Sequence, residues 1–385
     1  MNKYNGNITS KLPGVETSIF AVMSGLAIQH NAINLSQGFP DFSVSEKLIA
    51  SIHQKMKAGY NQYAPMPGVP EFRNQIVAKT ARTYGVDYDA ETEVTVTAGA
   101  TQALFTAISA FIRDEDEVLI FEPAYDSYGP AVLLNGGVVK YIQLQLPDYH
   151  IDWQEVANKI SHRTKMIIIN TPHNPSGSIL SNQDMIELDK ITKNTDIIIL
   201  SDEVYEHIIF DGKKHESVCA YPSLVERSVV VGSFGKTFHA TGWKIGFVLA
   251  PQNLMNEFRK AHQFNVFAVN TPIQHALAEY MTDPENYLHL GKFYQQKRDF
   301  FVERLSASRF KIIPSYGTYF QLLDYSSITD EGEMDFATRL ITEFGLASIP
   351  VSAFYQKKDD HKILRFCFAK GEETLEKAAN ILCKI

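Results

Sequence analysis

Lys236 ends an apolar run, Val229-Val230-Val231-Gly232-Ser233-Phe234-Gly235-Lys236, and Thr241-Gly242-Trp243-Lys244-Ile245-Gly246 follows shortly after. At the end of a strand, Gly, Ser, Phe and Trp neighbours would desolvate the lysine ammonium, lower its pKa and favour the neutral amine that forms a Schiff base with a carbonyl ligand. A solvated surface lysine is the plainer alternative. Asp202 stands in the same relation to the apolar run before Ser201-Asp202-Glu203-Val204-Tyr205. Such a carboxylate can cap a helix, or it can pair with a protonated pyridine nitrogen and keep the ring able to absorb the electrons of a carbanion. Tyr205, three residues on, is spaced to reach a ring hydroxyl. The loop Asn170-Thr171-Pro172-His173-Asn174-Pro175-Ser176-Gly177 is a Pro- and Gly-punctuated turn that would present the Asn174 amide rigidly to a ring oxygen and a substrate carboxylate. In Thr97-Ala98-Gly99-Ala100-Thr101-Gln102 a strand turns into a helix, and small residues there let backbone N–H groups approach a phosphate.

The elements that must position these residues alternate along the chain. Val- and Ile-rich runs at 93–97, 118–121, 138–143, 166–170, 197–201, 229–233 and 245–250 read as strands. Most are continuously apolar, as in strands covered by helices on both faces. Helices are expected at 102–112 and 182–193, the second with Ser181 as N-cap and Asp184 in its first turn. The fold class is therefore α/β, a three-layer αβα unit around a mostly parallel seven-stranded sheet. After about Pro284 the pattern changes to an amphipathic stretch at 285–305 and separated strands near 319–323 and 363–368, a smaller α+β domain. The expected organisation is an N-terminal arm with part of the small domain at 1–40, a large cofactor domain at 41–283 and a small C-terminal domain at 284–385.

Net charge is −8 from 36 basic and 44 acidic residues, without blocks of like charge, so neither nucleic acid nor an anionic membrane is an expected partner. Small-molecule chemistry fits better. Cys219, Cys367 and Cys383 lack C-x-x-C spacing, which argues against a disulfide framework or a zinc site and for a reduced, cytoplasmic protein. The first 20 residues are polar and broken by Pro13 and Gly14, and the apolar runs are too short to span a bilayer, so neither signal peptide nor membrane helix is expected.

In order and spacing these segments resemble the class I and II aminotransferases of pyridoxal-phosphate fold type I, within them the kynurenine/glutamine and methionine aminotransferase branch. The resemblance runs from Leu35-Ser36-Gln37-Gly38-Phe39-Pro40 through Asn61-Gln62-Tyr63 and Phe121-Glu122-Pro123-Ala124-Tyr125-Asp126 to Ile363-Leu364-Arg365-Phe366-Cys367-Phe368. It implies pyridoxal 5'-phosphate held covalently by Lys236, with Asp202 on the pyridine nitrogen, Asn174 and Tyr205 on the ring oxygen, and Tyr125 stacked on the ring. Phosphate would be held by Gly99, Ala100 and Thr101, by Ser233 and Lys244, and by Tyr63 of a neighbouring subunit, which implies a homodimer with shared active sites. Lys244 departs from the arginine common at that position and gives up its two-pronged contact. The resemblance makes Arg365, otherwise readable as an edge-strand arginine with its head in water, the grip on the substrate carboxylate, assisted by Gly38 and Asn174. His239 differs from the small or aliphatic residues common there and is given no role.

The implied activity is ping-pong transfer of an amino group from an amino acid to a 2-oxo acid. Dicarboxylic substrates need a second cation in the pocket, and 261–297 holds no arginine. Ile19, Phe20, Phe264, Val266 and Phe267 offer apolar surface instead, Phe20 and Phe267 matching pocket positions in the related branch. Methionine, aromatic amino acids or glutamine are expected over aspartate, although each aromatic can equally be core. A cysteine-S-conjugate β-lyase is the alternative on the same site, distinguished by pyruvate and ammonia appearing without an acceptor. A cofactor-binding regulator would need a DNA-binding segment that the chain has no room for.

Overall fold

The computed structural model describes residues 4–385. A seven-stranded sheet runs in the order Val94–Thr97, Gly246–Leu249, Ser228–Ser233, Ile198–Asp202, Thr164–Asn170, Glu117–Glu122, Val138–Gln143. Gly246–Leu249 is antiparallel to both neighbours, and the remaining pairs are parallel. All seven strands expected from the apolar runs are present, with ends shifted by a residue or two, as assignments at fraying ends do.

Every residue of Glu117–Glu122, Ile198–Asp202 and Ser228–Ser233 is buried, because each face of the sheet is covered. Side chains alternate between the faces. Val118, Ile120, Met166, Ile168, Leu200 and Val231 pack with Leu104 and Ile108 of the helix Ala100–Phe111 and with Phe258 of the helix Gln252–Asn265. Leu119, Phe121, Ile167, Ile169, Ile199 and Val230 belong to the other core, with Phe72 and Ile76 of Pro70–Tyr84 and Leu188 of Asn182–Thr192. Ser181 and Asp184 close a reciprocal capping box at the start of the last helix, fixing where the chain leaves the site loop at 170–177.

A second sheet, ordered Ile349–Pro350, Ile363–Cys367, Phe320–Asp324, Lys311–Ile313, is antiparallel throughout. Arg365 lies opposite both Leu322 and Ile349, so its strand is interior and the edge-strand reading is corrected. The 285–305 stretch, expected as one amphipathic unit, is two helices, Glu285–Leu288 and Leu290–Arg304. At the break the His289 imidazole bonds the Glu285 carbonyl, the acceptor that an uninterrupted helix would give to the His289 N–H. Ile33–Asn34 pairs in parallel with Leu346–Ala347, and Cys367 N–H bonds the Leu35 carbonyl at 2.8 Å, which steers residues 36–38 across the strand that carries Arg365. Among the described residues no helix is long and apolar enough to cross a membrane.

Candidate active site

Asn170, Asp202 and Ser233 end adjacent strands at their carboxyl ends, where open α/β sheets gather their ligands. Asn170 joins two of these ends. Its Nδ2 donates to the Asp202 carbonyl at 2.9 Å, and its Oδ1 accepts the Asn174 N–H at 2.8 Å. The Asn174 side chain thereby turns its amide inward. His173 fixes the loop from behind, with Nδ1 2.6 Å from Ser176 Oγ and Nε2 3.0 Å from the Pro123 carbonyl. The buried Asp202 carboxylate accepts from Tyr128 Oη at 2.6 Å and from the Val204 N–H at 3.3 Å. Burial raises its pKa to about 6, while the Tyr128 bond, the Val204 N–H and the nearby Lys236 charge all pull it down. Asp202 therefore keeps an ionised oxygen pair at neutral pH and can stabilise a cationic ring nitrogen.

Lys236 sits in the single helical turn Phe234–Thr237 that follows its strand. Its Nζ is 2.8 Å from Tyr319 Oη and 3.3 Å from the Gly38 carbonyl. Burial is the main cause of a pKa lowered to about 8, with Lys244 and Arg365 pushing the same way and Cys367 and Asp202 opposing. A useful fraction of the amine is thus neutral near neutral pH, the form that attacks a carbonyl or takes a proton.

The phosphate-binding residues expected from the sequence also converge. Gly99 is the N-cap of the 12-residue helix Ala100–Phe111, at φ +77°, a left-handed value that favours glycine. A Cβ built there would stand 3.1 Å from Lys244 Cε, so the missing side chain is what lets the lysine lie against the helix start. Together with Ser233 and the first N–H groups of the helix, Lys244 makes an anion cradle. Tyr125 closes one side, its Oη 3.3 Å from Thr101 Oγ1.

Arg365 lines the same cavity as Lys244 and is 1% exposed. Nη1 donates to Asn174 Oδ1 at 2.6 Å, Nη2 donates to the Ser36 carbonyl at 3.0 Å, and the buried Nε has no partner among the described residues. Burial lowers its pKa to about 10, still far above neutrality. Rings surround the guanidinium: Phe320 at 3.9 Å, Phe354 at 5.1 Å and Phe20 at 5.3 Å from Cζ. A desolvated, cationic guanidinium bonded only to neutral oxygens will bind a carboxylate strongly.

One cavity of about 300 Å³ is lined by Phe20, Gly38, Ala100, Thr101, Tyr125, Asn174, Asp202, Tyr205, Ser233, Lys236, Lys244 and Arg365. Gly99 is not among the lining residues but lies against Lys244, which is. Tyr63 and Phe267 do not line it: they pack on each other at 5.2 Å and are 82% and 48% exposed. Phe264, 90% exposed, does not line it either. Sequence reasoning missed Tyr128, Asn170, Phe320, Phe354 and Tyr319. Asn170 and Tyr128 carried a signal, each lying within a segment already singled out or just beyond it. The other three read as ordinary strand or loop aromatics.

The family described as Aminotransferase class I and II matches residues 30–382. The chain belongs to the class I and II aminotransferases. It is 50% identical to the methionine aminotransferase of Escherichia coli over 97% of each chain, and 34% identical to the kynurenine–oxoglutarate transaminase of Dictyostelium discoideum over 96% of this chain and 94% of the relative. Among solved structures, that of an Escherichia coli protein with a methionine aminotransferase function superposes with a TM-score of 0.96 at 49% identity, covering 98% of this chain and all of the other. Aminotransferases of this family are pyridoxal-phosphate-dependent, and so is this one. The residues present fit that cofactor. The Gly99 cradle with Lys244 suits a phosphate, and Asp202 suits a pyridine nitrogen. The amine of Lys236, whose pKa burial lowers to about 8, suits an aldehyde carbon.

Proposed function

We propose that this aminotransferase moves the amino group of methionine, an aromatic amino acid or glutamine to a 2-oxo acid in ping-pong order. The observation that carries the donor class is the ring of Phe20, Phe320 and Phe354 around Arg365. It leaves the carboxylate grip bordered by apolar surface. Apart from Lys236, at the reacting centre, and Lys244, at the phosphate cradle, no cation besides Arg365 lines the cavity among the described residues. The Escherichia coli relative is named for methionine and the Dictyostelium relative for kynurenine, both donors with uncharged side chains.

Bound pyridoxal phosphate supplies an electron sink for the pair left at the substrate Cα. In this reading Lys236 would hold its carbonyl carbon, Asp202 its ring nitrogen, Asn174 and Tyr205 its ring oxygen, and Tyr125 its face. Ala100, Thr101, Ser233 and Lys244 would hold its phosphate. Arg365, with the Gly38 N–H and the Asn174 amide, orients the substrate so that its Cα–H faces Lys236. The Gly38 N–H has no partner among the described residues, which supports that use. Freed when the substrate's own amino group replaces it at that carbon, Lys236 then takes the Cα proton onto Nζ. The first keto acid leaves before the second binds, giving parallel initial-rate plots. Measured against several 2-oxo acids, kcat/KM for methionine or phenylalanine should exceed that for aspartate about 100-fold or more. Equal use of aspartate would sink the donor assignment.

The exposed aromatics Tyr63, Phe264 and Phe267 support a homodimer in which Tyr63 and Phe267 complete the neighbour's site. Sedimentation as a single 43.4 kDa chain would contradict it. The division into 1–40 with 284–385 and 41–283 is supported by the two sheets and by the pairing of 33–34 with 346–347. Three unpaired thiols support a cytoplasmic location, which cell fractionation checks.

A further inference from the structure

We propose that the Tyr319 hydroxyl and the Gly38 carbonyl form a cradle for the free amine of Lys236, fixing its two N–H bonds and leaving its lone pair for the substrate Cα proton. The inference rests on Lys236 being the base and assigns Tyr319 as a positioning residue.

The direction of each hydrogen bond decides the matter. Tyr319 Oη has one proton, and the Gly38 carbonyl 2.6 Å away takes it. Toward Lys236, 2.8 Å away, the hydroxyl can then only accept. A neutral amine has two N–H bonds and one lone pair. Tyr319 takes one N–H and Gly38, at 3.3 Å, the other. The lone pair is left without a protein donor. Had the tyrosine proton pointed at Nζ it would have blocked that lone pair, and the carbonyl prevents this by holding the proton itself.

When Nζ takes the Cα proton and becomes an ammonium, both N–H bonds keep their acceptors, and the third N–H lies where the proton arrived. The Cα–H bond breaks, the N–H bond forms, and Tyr319 stays protonated throughout. Nearby rings favour the charged product as well: Nζ is 5.4 Å from the Tyr319 centroid and 5.5 Å from that of Tyr205.

Both acceptors are held rigidly. Tyr319 is fully buried, its ring 5.1 Å from Tyr205, 5.6 Å from Tyr294 and 5.0 Å from Phe320, and its carbonyl accepts the Phe368 N–H at 2.9 Å. Gly38 approaches so closely that a Cβ there would stand 2.6 Å from Phe320 and 3.2 Å from Tyr319. Lys370 pins the next residue by donating to the Phe39 carbonyl at 2.7 Å. The charged and titratable groups around the amine are Asp202, Lys244, Arg365, Cys367, Tyr205 and Tyr319. The last of these bonds it directly.

Tyr319→Phe tests the cradle, since it removes the hydroxyl and keeps the ring packing. Three readouts are expected to move. The kcat for a good donor falls about 10- to 100-fold with KM little changed. The isotope effect from Cα-deuterated donor rises, because proton removal becomes more limiting. In holoenzyme kept with donor and no acceptor, which frees Lys236, competitive acetylation of that lysine titrates about one unit lower than in the wild type, because an acceptor that favours the ammonium is gone. A fall in thermal stability alone, with isotope effect and acetylation profile unchanged, overturns the proposal. Its failure stays separate from failure of the base assignment. If Lys236→Ala still carries covalent cofactor, Lys236 itself is misassigned; if it does not, and Tyr319→Phe behaves as wild type, only the cradle is wrong.

Discussion

Lys236→Ala is expected to give a folded protein that retains no cofactor covalently after borohydride reduction and whose turnover falls by about 10⁴-fold or more. Two losses combine in one residue. The first is the nucleophile: alanine offers no nitrogen to the carbonyl carbon, so in the proposed reading any cofactor that remains would be held by the phosphate cradle and Asp202 alone. The second is the base. Nζ lies between Tyr319 and Gly38, with its pKa lowered to about 8, and the described residues offer no second amine that approaches the same acceptors. Asp202 is no substitute, because Tyr128 and the Val204 N–H fix its carboxylate for the ring nitrogen and not for the Cα–H bond. Mass spectrometry of the reduced protein and single-turnover rates with a good donor measure the two losses separately. Covalent cofactor on the variant, or turnover within tenfold of wild type, would remove Lys236 from both roles.

The strands that carry this site were legible because parallel strands are buried on both faces. Runs such as Ile197-Ile198-Ile199-Leu200 have no polar member to confuse with a loop. The residue that ends such a run is forced to a sheet end, so Asp202 and Ser233 could be placed from sequence. Arg365 was harder. Its strand, Ile363–Cys367, is interior to the small sheet, and only the pairing with Phe320–Asp324 and Ile349–Pro350 tells an interior arginine from an edge one.

Tyr319 and Phe354 were not legible for a related reason: an aromatic in a short apolar segment is core by default, and its function depends on partners far along the chain. Tyr319 meets Lys236 across 83 positions, and Arg365 meets Asn174 across 191. No local pattern encodes such distances. His239 shows the opposite case. A residue type unusual for its position proves to be packing, with its ring against Phe42 and Phe293, its Nδ1 2.9 Å from Tyr294 Oη, and burial lowering its pKa to about 4. The imidazole is neutral there. It fills a gap between the 36–42 segment and the helix Leu290–Arg304 without touching the cavity.

Arg365→Ala should lower kcat/KM for every amino-acid donor by about 10²- to 10⁴-fold while leaving cofactor occupancy and the borohydride-fixed adduct near wild type. The range follows from two charge-assisted hydrogen bonds to one carboxylate, each about 1.5–3 kcal/mol in a desolvated setting. Orientation adds to this loss, since the same grip aims the Cα–H bond at Lys236. The variant also frees Asn174 Oδ1 and the Ser36 carbonyl from their donors and opens a gap beneath Phe320, 3.9 Å from Cζ, so part of the loss will come through a disordered Asn174. Arg365→Lys separates the parts. It restores one charge without the fork, and lysine's single head cannot reach a carboxylate, Asn174 and Ser36 together. The expected order for kcat/KM is therefore wild type, then lysine, then alanine, whereas a simple amine that lacks a carboxylate should lose little in either variant. Amines and amino acids falling in parallel would mean that Arg365 supports the fold of the site and does not bind the carboxylate.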